Sequence, residues 1–343
     1  MISNILKEDI KRFVISFESY EQFRNSSFLI TGSTGLIGYT LVLYIEALNR
    51  KHDLNIRITC PVRNMEKVFK KFNQDMNEVE FVKQDLISFI RDTEKNFDYI
   101  IHCAAPTTSK YFVEYPVETY EMILQDTLEI LKYCKQNNVD GFVYVSSLEC
   151  YGSIMDENKP ITEDMQGYIN PLDVRSSYSM GKRAAETLCY AYFKEYGINV
   201  KIARLTQIVG PGVSIDDNRV FAQFTRRVLE NSDIILHTLG ESSKPYCYTG
   251  DCILALLLIL LNGESGEAYN VSNDETYISI RELAEFLRCK FNPNIRIITE
   301  HKKNLGYAPV TKLPLNSDKL RNLGWKPKYG LYEMFYRYME SIK

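Results

Sequence analysis

One stretch limits what this chain can fold into more than any other: Phe28-Leu29-Ile30-Thr31-Gly32-Ser33-Thr34-Gly35-Leu36-Ile37-Gly38. An apolar run suited to a buried strand breaks at Gly32. Two further glycines at three-residue spacing lead into an apolar, helix-compatible segment from Leu36 to Leu48. The pattern predicts a strand, a tight turn and a helix start. Glycines so placed permit the turn, let a ligand approach the backbone and let the helix pack closely on the strand, while free N–H groups and the positive helix end face an anion. A pyrophosphate suits that geometry, so a dinucleotide is expected against Gly32, Thr34, Gly35, Leu36, Ile37 and Gly38.

Downstream, strand-like runs at Ile56–Val62, Val79–Lys83, Tyr99–Cys103 and Phe142–Ser146 alternate with helical segments near 64–72, 86–94 and 116–137. Near-continuous apolar strands separated by helices argue for a parallel sheet covered on both faces, an α/β, Rossmann-like doubly wound fold. A helix from Ser176 to Tyr196 and a strand from Val200 to Leu205 continue the pattern. Gly210-Pro211-Gly212 then opens a loop-rich region. The expected organisation is an N-terminal helical extension over 1–25, a dinucleotide-binding domain over 26–205, and a smaller C-terminal substrate lobe over most of 206–343, with an interleaved boundary.

Composition narrows the classes. A net charge of −3 leaves no polyanion-binding footprint, which argues against nucleic acid as a partner. Eight scattered cysteines without a CxxC pair read as free thiols of a reduced, cytoplasmic protein. His52, His102, His237 and His301 have no ligand spacing to one another or to the cysteines, so no metal is expected. Lys7, Glu8, Asp9, Lys11 and Arg12 interrupt the apolar N-terminal residues, unlike a signal peptide. The most apolar run, Ile253 to Leu261, is too short to span a bilayer and reads as a buried helix.

At the end of the second strand, where an acid would accept hydrogen bonds from an adenosine ribose and favour NAD, Arg63-Asn64 stand instead. Arg63 suits a 2′-phosphate, or is a solvated loop cation, so NAD and NADP both stay open. Asp85, followed by Leu86, is placed to meet the adenine or to cap the next helix. Ala104 and Ala105 are small enough to let backbone lie along a dinucleotide. His102 reads as a satisfied core histidine.

For chemistry, Tyr178 and Lys182 are four apart on one predicted helix face, where an ammonium lowers a phenol's pKa and readies it to exchange a proton with a substrate hydroxyl. Tyr190 and Lys194 repeat the spacing, but twelve residues at about 100° each turn them roughly 120° away, so only one pair faces a given site. Ser146 and Ser147 end a strand at the edge where ligands of such sheets collect, and this favours the trio Ser147, Tyr178 and Lys182.

The motifs T-G-S-T-G-L-I-G, D-Y-I-I-H-C-A-A, V-S-S-L-E-C-Y-G, Y-S-M-G-K, A-R-L-T-Q-I-V-G-P-G and D-K-L-R-N-L-G-W-K-P together resemble the extended short-chain dehydrogenase/reductases, in the NAD-dependent epimerase/dehydratase group. UDP-glucuronate decarboxylase-like enzymes carry the nearest pattern. The resemblance implies a nucleotide-activated sugar or sugar-alcohol substrate, transient oxidation to a ketone, a homodimer and a place in surface-polysaccharide synthesis. It also implies Thr107, Gln207, Arg219 and Lys244 as substrate contacts. Four departures stand out. Leu148-Glu149 replaces the dehydratases' Asp-Glu pair, Lys244 replaces the decarboxylases' later arginine, and Ile123 replaces a helix asparagine; Gln207 likewise stands where the group has a nucleotide-contacting asparagine. Glu149 is left as a second acid/base or as a structural carboxylate. These features favour an epimerase over a 4,6-dehydratase or a decarboxylase. A dinucleotide-sensing regulator without catalysis is the alternative of another class.

Overall fold

The computed structural model describes residues 2–72, 76, 78–154, 159–300 and 310–343; Met1 and His301 lie outside them. Helix α1 (Asn4–Ser16) is capped by Ser3, whose hydroxyl accepts from the Leu6 N–H. The alternating part then runs β1 (Ser27–Thr31), α2 (Leu36–His52), β2 (Arg57–Val62), α3 (Met65–Lys71), β3 (Val79–Lys83), α4 (Leu86–Asp92), β4 (Tyr99–His102), α5 (Ser109–Glu114), α6 (Pro116–Gln136), β5 (Gly141–Ser147), α7 (Ser176–Tyr196) and β6 (Val200–Leu205). Beyond it come β7 (Gln207–Val209), α8 (Val220–Leu229), β8 (Ile234–Leu236), β9 (Ser243–Tyr248), α9 (Thr249–Asn262), β10 (Ala268–Val271), β11 (Asn273–Ser279), α10 (Ile280–Phe291), β12 (Ile297–Thr299), α11 (Asp318–Arg321) and α12 (Leu331–Ile342).

Seven parallel strands form the central sheet in the order β10-β6-β5-β4-β1-β2-β3. The chain winds one way from β1 through β3 and the other way from β4 onward, so the reversal falls between β1 and β4. Outside the carboxyl ends of those two strands lies the crevice where open α/β sheets collect ligands. One face of the sheet is covered by α1, α2 and α9 and the other by α4, α6 and α7, each with its own apolar cluster. Helix α9, buried along Ile253, Leu256, Leu257 and Leu260, is the apolar run too short for a membrane. Among the described residues no helix is long and apolar enough to cross one.

Strand β10 was not visible in the sequence. It is four residues long with Asn270 inside it, and the Asn270 amide donates to Ile161 O at 3.0 Å and Asn316 O at 2.9 Å. A polar residue serving two loops broke the apolar run that marks the other strands. Downstream of β6, a small sheet β11-β9-β7 and the pair β12-β8 surround a third apolar cluster with α8, α10 and α12.

Helix α1 buries Leu6, Phe13 and Val14, and Phe13 lies 4.8 Å from the Tyr44 ring. Asp9 is also buried. It accepts from Arg337 Nη2 of α12 at 2.6 Å and from the Tyr248 hydroxyl at 2.5 Å. Removing one partner of a buried pair leaves the other charge uncompensated, so Arg337→Ala is expected to cost about 3–5 kcal/mol. Arg296 pairs with Asp233 on the surface and is 77% exposed. Arg296→Ala should leave stability almost unchanged. Urea unfolding of both variants checks the contrast, and equal losses would refute it.

Candidate active site

The glycine turn sits at the reversal point. Gly32 has φ +67, and a Cβ there would come within 2.8 Å of the Ala104 amide nitrogen, so the first turn and the end of β4 are in backbone contact. A Cβ on Gly38 would sit 2.5 Å from the Gly32 carbonyl. No side chain caps the first turn of α2, whose amides begin at Leu36 and Ile37. This cradle of close backbone and uncapped helix start fits a dinucleotide pyrophosphate. Thr34 and Gly35 line the turn, and Ala104 and Ala105, partly exposed, follow β4, with Ala104 against Gly32.

Toward the adenosine end, Asp85 caps α4, accepting from the Ser88 N–H at 3.0 Å, with Leu86 as the first helical residue. Arg63 follows β2 on the exposed surface. His102 is buried, and its Nδ1 meets the Thr31 hydroxyl at 2.7 Å. Its Nε2 has no hydrogen-bond partner, so the expected fully satisfied core histidine is only half satisfied. Burial pushes its pKa down to about 3, which keeps the ring neutral.

Tyr178 lies in the first turn of α7 with its ring stacked on Phe112 at 4.3 Å, and the Ser147 side chain at the end of β5 is near enough to its hydroxyl to lower its pKa. Lys182 stands one turn on. Its ammonium donates to Val145 O at 2.7 Å and is 5.9 Å from the centre of the Tyr178 ring. Burial lowers the Lys182 pKa to about 8. Burial, followed by the charge of Glu149, raises the Tyr178 phenol, while the Ser147 side chain works the other way. The Lys182 ammonium donates to a backbone carbonyl, and desolvation of the enclosed ring is the largest influence on the phenol.

Glu149 enters from the short 3-10 turn Leu148–Tyr151, which is capped by the Ser147 hydroxyl accepting from the Glu149 N–H at 3.2 Å. Leu148 packs away into an apolar cluster with Ile161, Leu313 and Leu315. The Glu149 carboxylate meets Arg175 Nη2 at 3.6 Å and Ser179 Oγ at 3.4 Å. Lys244, reached from β9, is electrostatically coupled to both Glu149 and Arg175, and burial lowers its pKa. Ser147, Glu149 and Arg175 thus meet at the start of α7, which also carries Tyr178 and Lys182, and the charges of Glu149 and Arg175 reach Lys244.

Arg175 escaped the sequence analysis. The signal was available: it stands three residues before Tyr178, where helical neighbours share a face. The remaining substrate candidates are more scattered. Gln207 opens β7 beside Tyr246 of β9 and is half-buried. Arg219 is held by Asp217 at 2.7 Å and stacks on Phe221, so its guanidinium already has a partner. Thr107 lies exposed in the loop between β4 and α5.

Behind the cluster, Arg204 of β6 grips Glu186 of α7 at 2.7 Å, while Ser146 donates to Glu186 at 2.5 Å. Glu186 is one turn beyond Lys182, so this anchor fixes which face of α7 turns inward. Tyr190 faces out, 48% exposed.

Comparison with known proteins agrees with this architecture. The profile of the NAD dependent epimerase/dehydratase family matches residues 28–272. UDP-glucuronic acid decarboxylase 6 of Arabidopsis thaliana is 29% identical over 317 residues, covering 90% of this chain and 86% of that protein. Among solved structures, UDP-glucose 4-epimerase of Thermotoga maritima, crystallised with UDP-glucose, superposes with a TM-score of 0.76 at 21% identity, covering 92% of this chain and 98% of that one. The dTDP-glucose 4,6-dehydratase of Bacillus anthracis, in complex with NAD, gives 0.73 at 21% identity over 92% and 96%.

Tyr178→Phe keeps the ring and its stack but removes the acid/base group. Turnover should fall by roughly 10²-fold or more while dinucleotide affinity stays within a few fold. Tyr190→Phe, on the solvent face, should change little. Steady-state rates and dinucleotide titrations of both variants decide the assignment, which would be wrong if the two exchanged behaviour.

Proposed function

The chain belongs to the NAD-dependent epimerase/dehydratase family, and within it we propose an epimerase that transiently oxidises a nucleotide-linked sugar or sugar alcohol. The observation that carries this reading is the convergence of Ser147, Tyr178 and Glu149 at the carboxyl edge of the sheet, beside the glycine turn. A bound NAD or NADP supplies reversible two-electron oxidation of a carbinol. Tyr178 takes the proton from the substrate hydroxyl as the ketone forms and gives it back on reduction. Ser147, at the end of β5 on the Tyr178 side, orients the reacting oxygen. Glu149 moves a proton at the carbon beside the ketone when the stereocentre lies there. Dehydration is disfavoured because Leu148 is buried in an apolar cluster and supplies no acid to a departing hydroxyl.

The cations around Glu149 refine the substrate. Arg175 and Lys244 together outweigh one carboxylate, which suits a substrate that carries its own carboxylate, as a hexuronate does. Oxidation of the carbinol one carbon beyond the carbon that bears the carboxylate turns such a substrate into a β-keto acid, a group prone to lose carbon dioxide. Ion pairing stabilises the carboxylate more than the enolate left after that loss, so these cations favour retention of the carboxylate and epimerisation. Decarboxylation is the second reading. It is supported by the name of the Arabidopsis relative and by Glu149, which can protonate the enolate carbon.

A homodimer is part of the proposal. Val117 and Tyr120 of α6, with Leu172 and Val174 just before α7, border one exposed apolar groove, and Leu172 is 93% exposed. A second copy would cover it, and Leu172→Glu should then shift the sedimenting species toward monomer.

Incubation with UDP-, dTDP-, GDP- and CDP-linked sugars and uronates, read by mass spectrometry, tests the reaction. We expect a product isobaric with its substrate and no net consumption of dinucleotide. In heavy water, deuterium enters only if Glu149 moves the carbon-bound proton. Loss of carbon dioxide would establish the second reading, and loss of water would defeat both.

A further inference from the structure

Strand β2 ends in Val62-Arg63 with no acid, yet the adenosine end of the crevice has a carboxylate that neither the glycine turn nor the catalytic cluster uses. Asp126 lies in the middle of α6 and is only 8% exposed. No hydrogen-bond donor among the described residues reaches its carboxylate; its electrostatic partners are Arg63, beyond β2, and Asp85, beyond β3. One turn along α6, Glu129 is tied to Arg91 of α4 at 3.0 Å, so α6 is held against the helix that Asp85 caps. A carboxylate buried this far normally finds a donor within the protein. Asp126 stands one turn nearer the start of α6 than Glu129, alongside the α4 helix that follows β3, and the adenosine of a doubly wound site lies off the strand ends there.

We propose that Asp126 is the acidic wall of the adenosine subsite, supplied from α6 in place of the acid missing from β2, and that it makes the chain select NAD over NADP in spite of Arg63. The inference rests on the dinucleotide reading but not on any particular sugar reaction. A carboxylate accepts hydrogen bonds from the ribose hydroxyls of NAD. Toward a 2′-phosphate, which is itself anionic and accepts rather than donates, it is repulsive. Arg63 is exposed and attracts either anion, so alone it would favour NADP. Asp126 occupies the field of that cation from the buried side, and Asp85 adds a second negative charge beyond it.

The test is calorimetric titration of the full chain, stripped of bound nucleotide, with NAD and with NADP. The wild type should bind NAD about tenfold or more tighter than NADP. Asp126→Asn, close to isosteric, should shift the ratio toward NADP by about tenfold or more. Adding Arg63→Ala to that variant should abolish the gain. Asp126→Gly provides a second variant should the asparagine fold poorly. A ratio within about threefold of wild type in both Asp126 variants, or a wild type that prefers NADP, overturns the proposal. Failure of the wild type to bind either dinucleotide would instead remove the dinucleotide reading on which it stands.

Discussion

The active face of this protein depends on one buried ion pair. Glu186 and Arg204 have side chains 9% and 7% exposed, and the guanidinium meets both carboxylate oxygens. Taking two charges out of water is costly, and such a pair holds only when its remaining donors and acceptors are satisfied. Here they are. Ser146 donates to the carboxylate, and the second guanidinium arm reaches the Tyr151 hydroxyl at 2.9 Å and Glu163 O at 2.7 Å. Tyr151 passes the connection to Asn270 at 2.7 Å. One cation therefore joins the end of β5, the inner face of α7, β6 and the edge strand β10. Those are the elements that present Ser147, Tyr178 and Lys182.

Electrostatics inside that frame are set by enclosure more than by pairing. Tyr178 is raised by burial and by the charge of Glu149, and Lys182 is lowered by burial while its ammonium is held by a carbonyl. The phenol of the protein alone is thus held back from ionising. A site closed in this way ties the ionisation of its phenol to whatever enters beside it, and the Glu149 carboxylate stays directed toward Arg175.

Much of this was legible in the sequence. The glycine turn, the alternation of strands and helices, and the spacing of Tyr178 and Lys182 each report local geometry, and periodicity records local geometry directly. Helix α7 and strand β6 begin and end at the residues the pattern marked. What stayed hidden was long-range. Strand β10 is short and interrupted by an asparagine that serves two distant loops. Arg175 takes its meaning from Glu149, on another element. Asp126 takes its meaning from strand ends more than thirty residues away in sequence. Spacing along one helix cannot show any of these.

The bond between Asp9 and Arg337 has a consequence for how the chain is made. During synthesis the first helix emerges long before its cation, since 328 residues separate the two. Its apolar face can settle on α2 as soon as that helix exists. The buried carboxylate has the Tyr248 hydroxyl as a donor but no buried cation until α12 leaves the ribosome, so that seam closes after the central sheet has had time to assemble. A nascent chain stalled upstream of Arg337 would hold a nearly complete dinucleotide fold with its first helix only loosely latched, and would offer proteases and chaperones one particular edge to recognise.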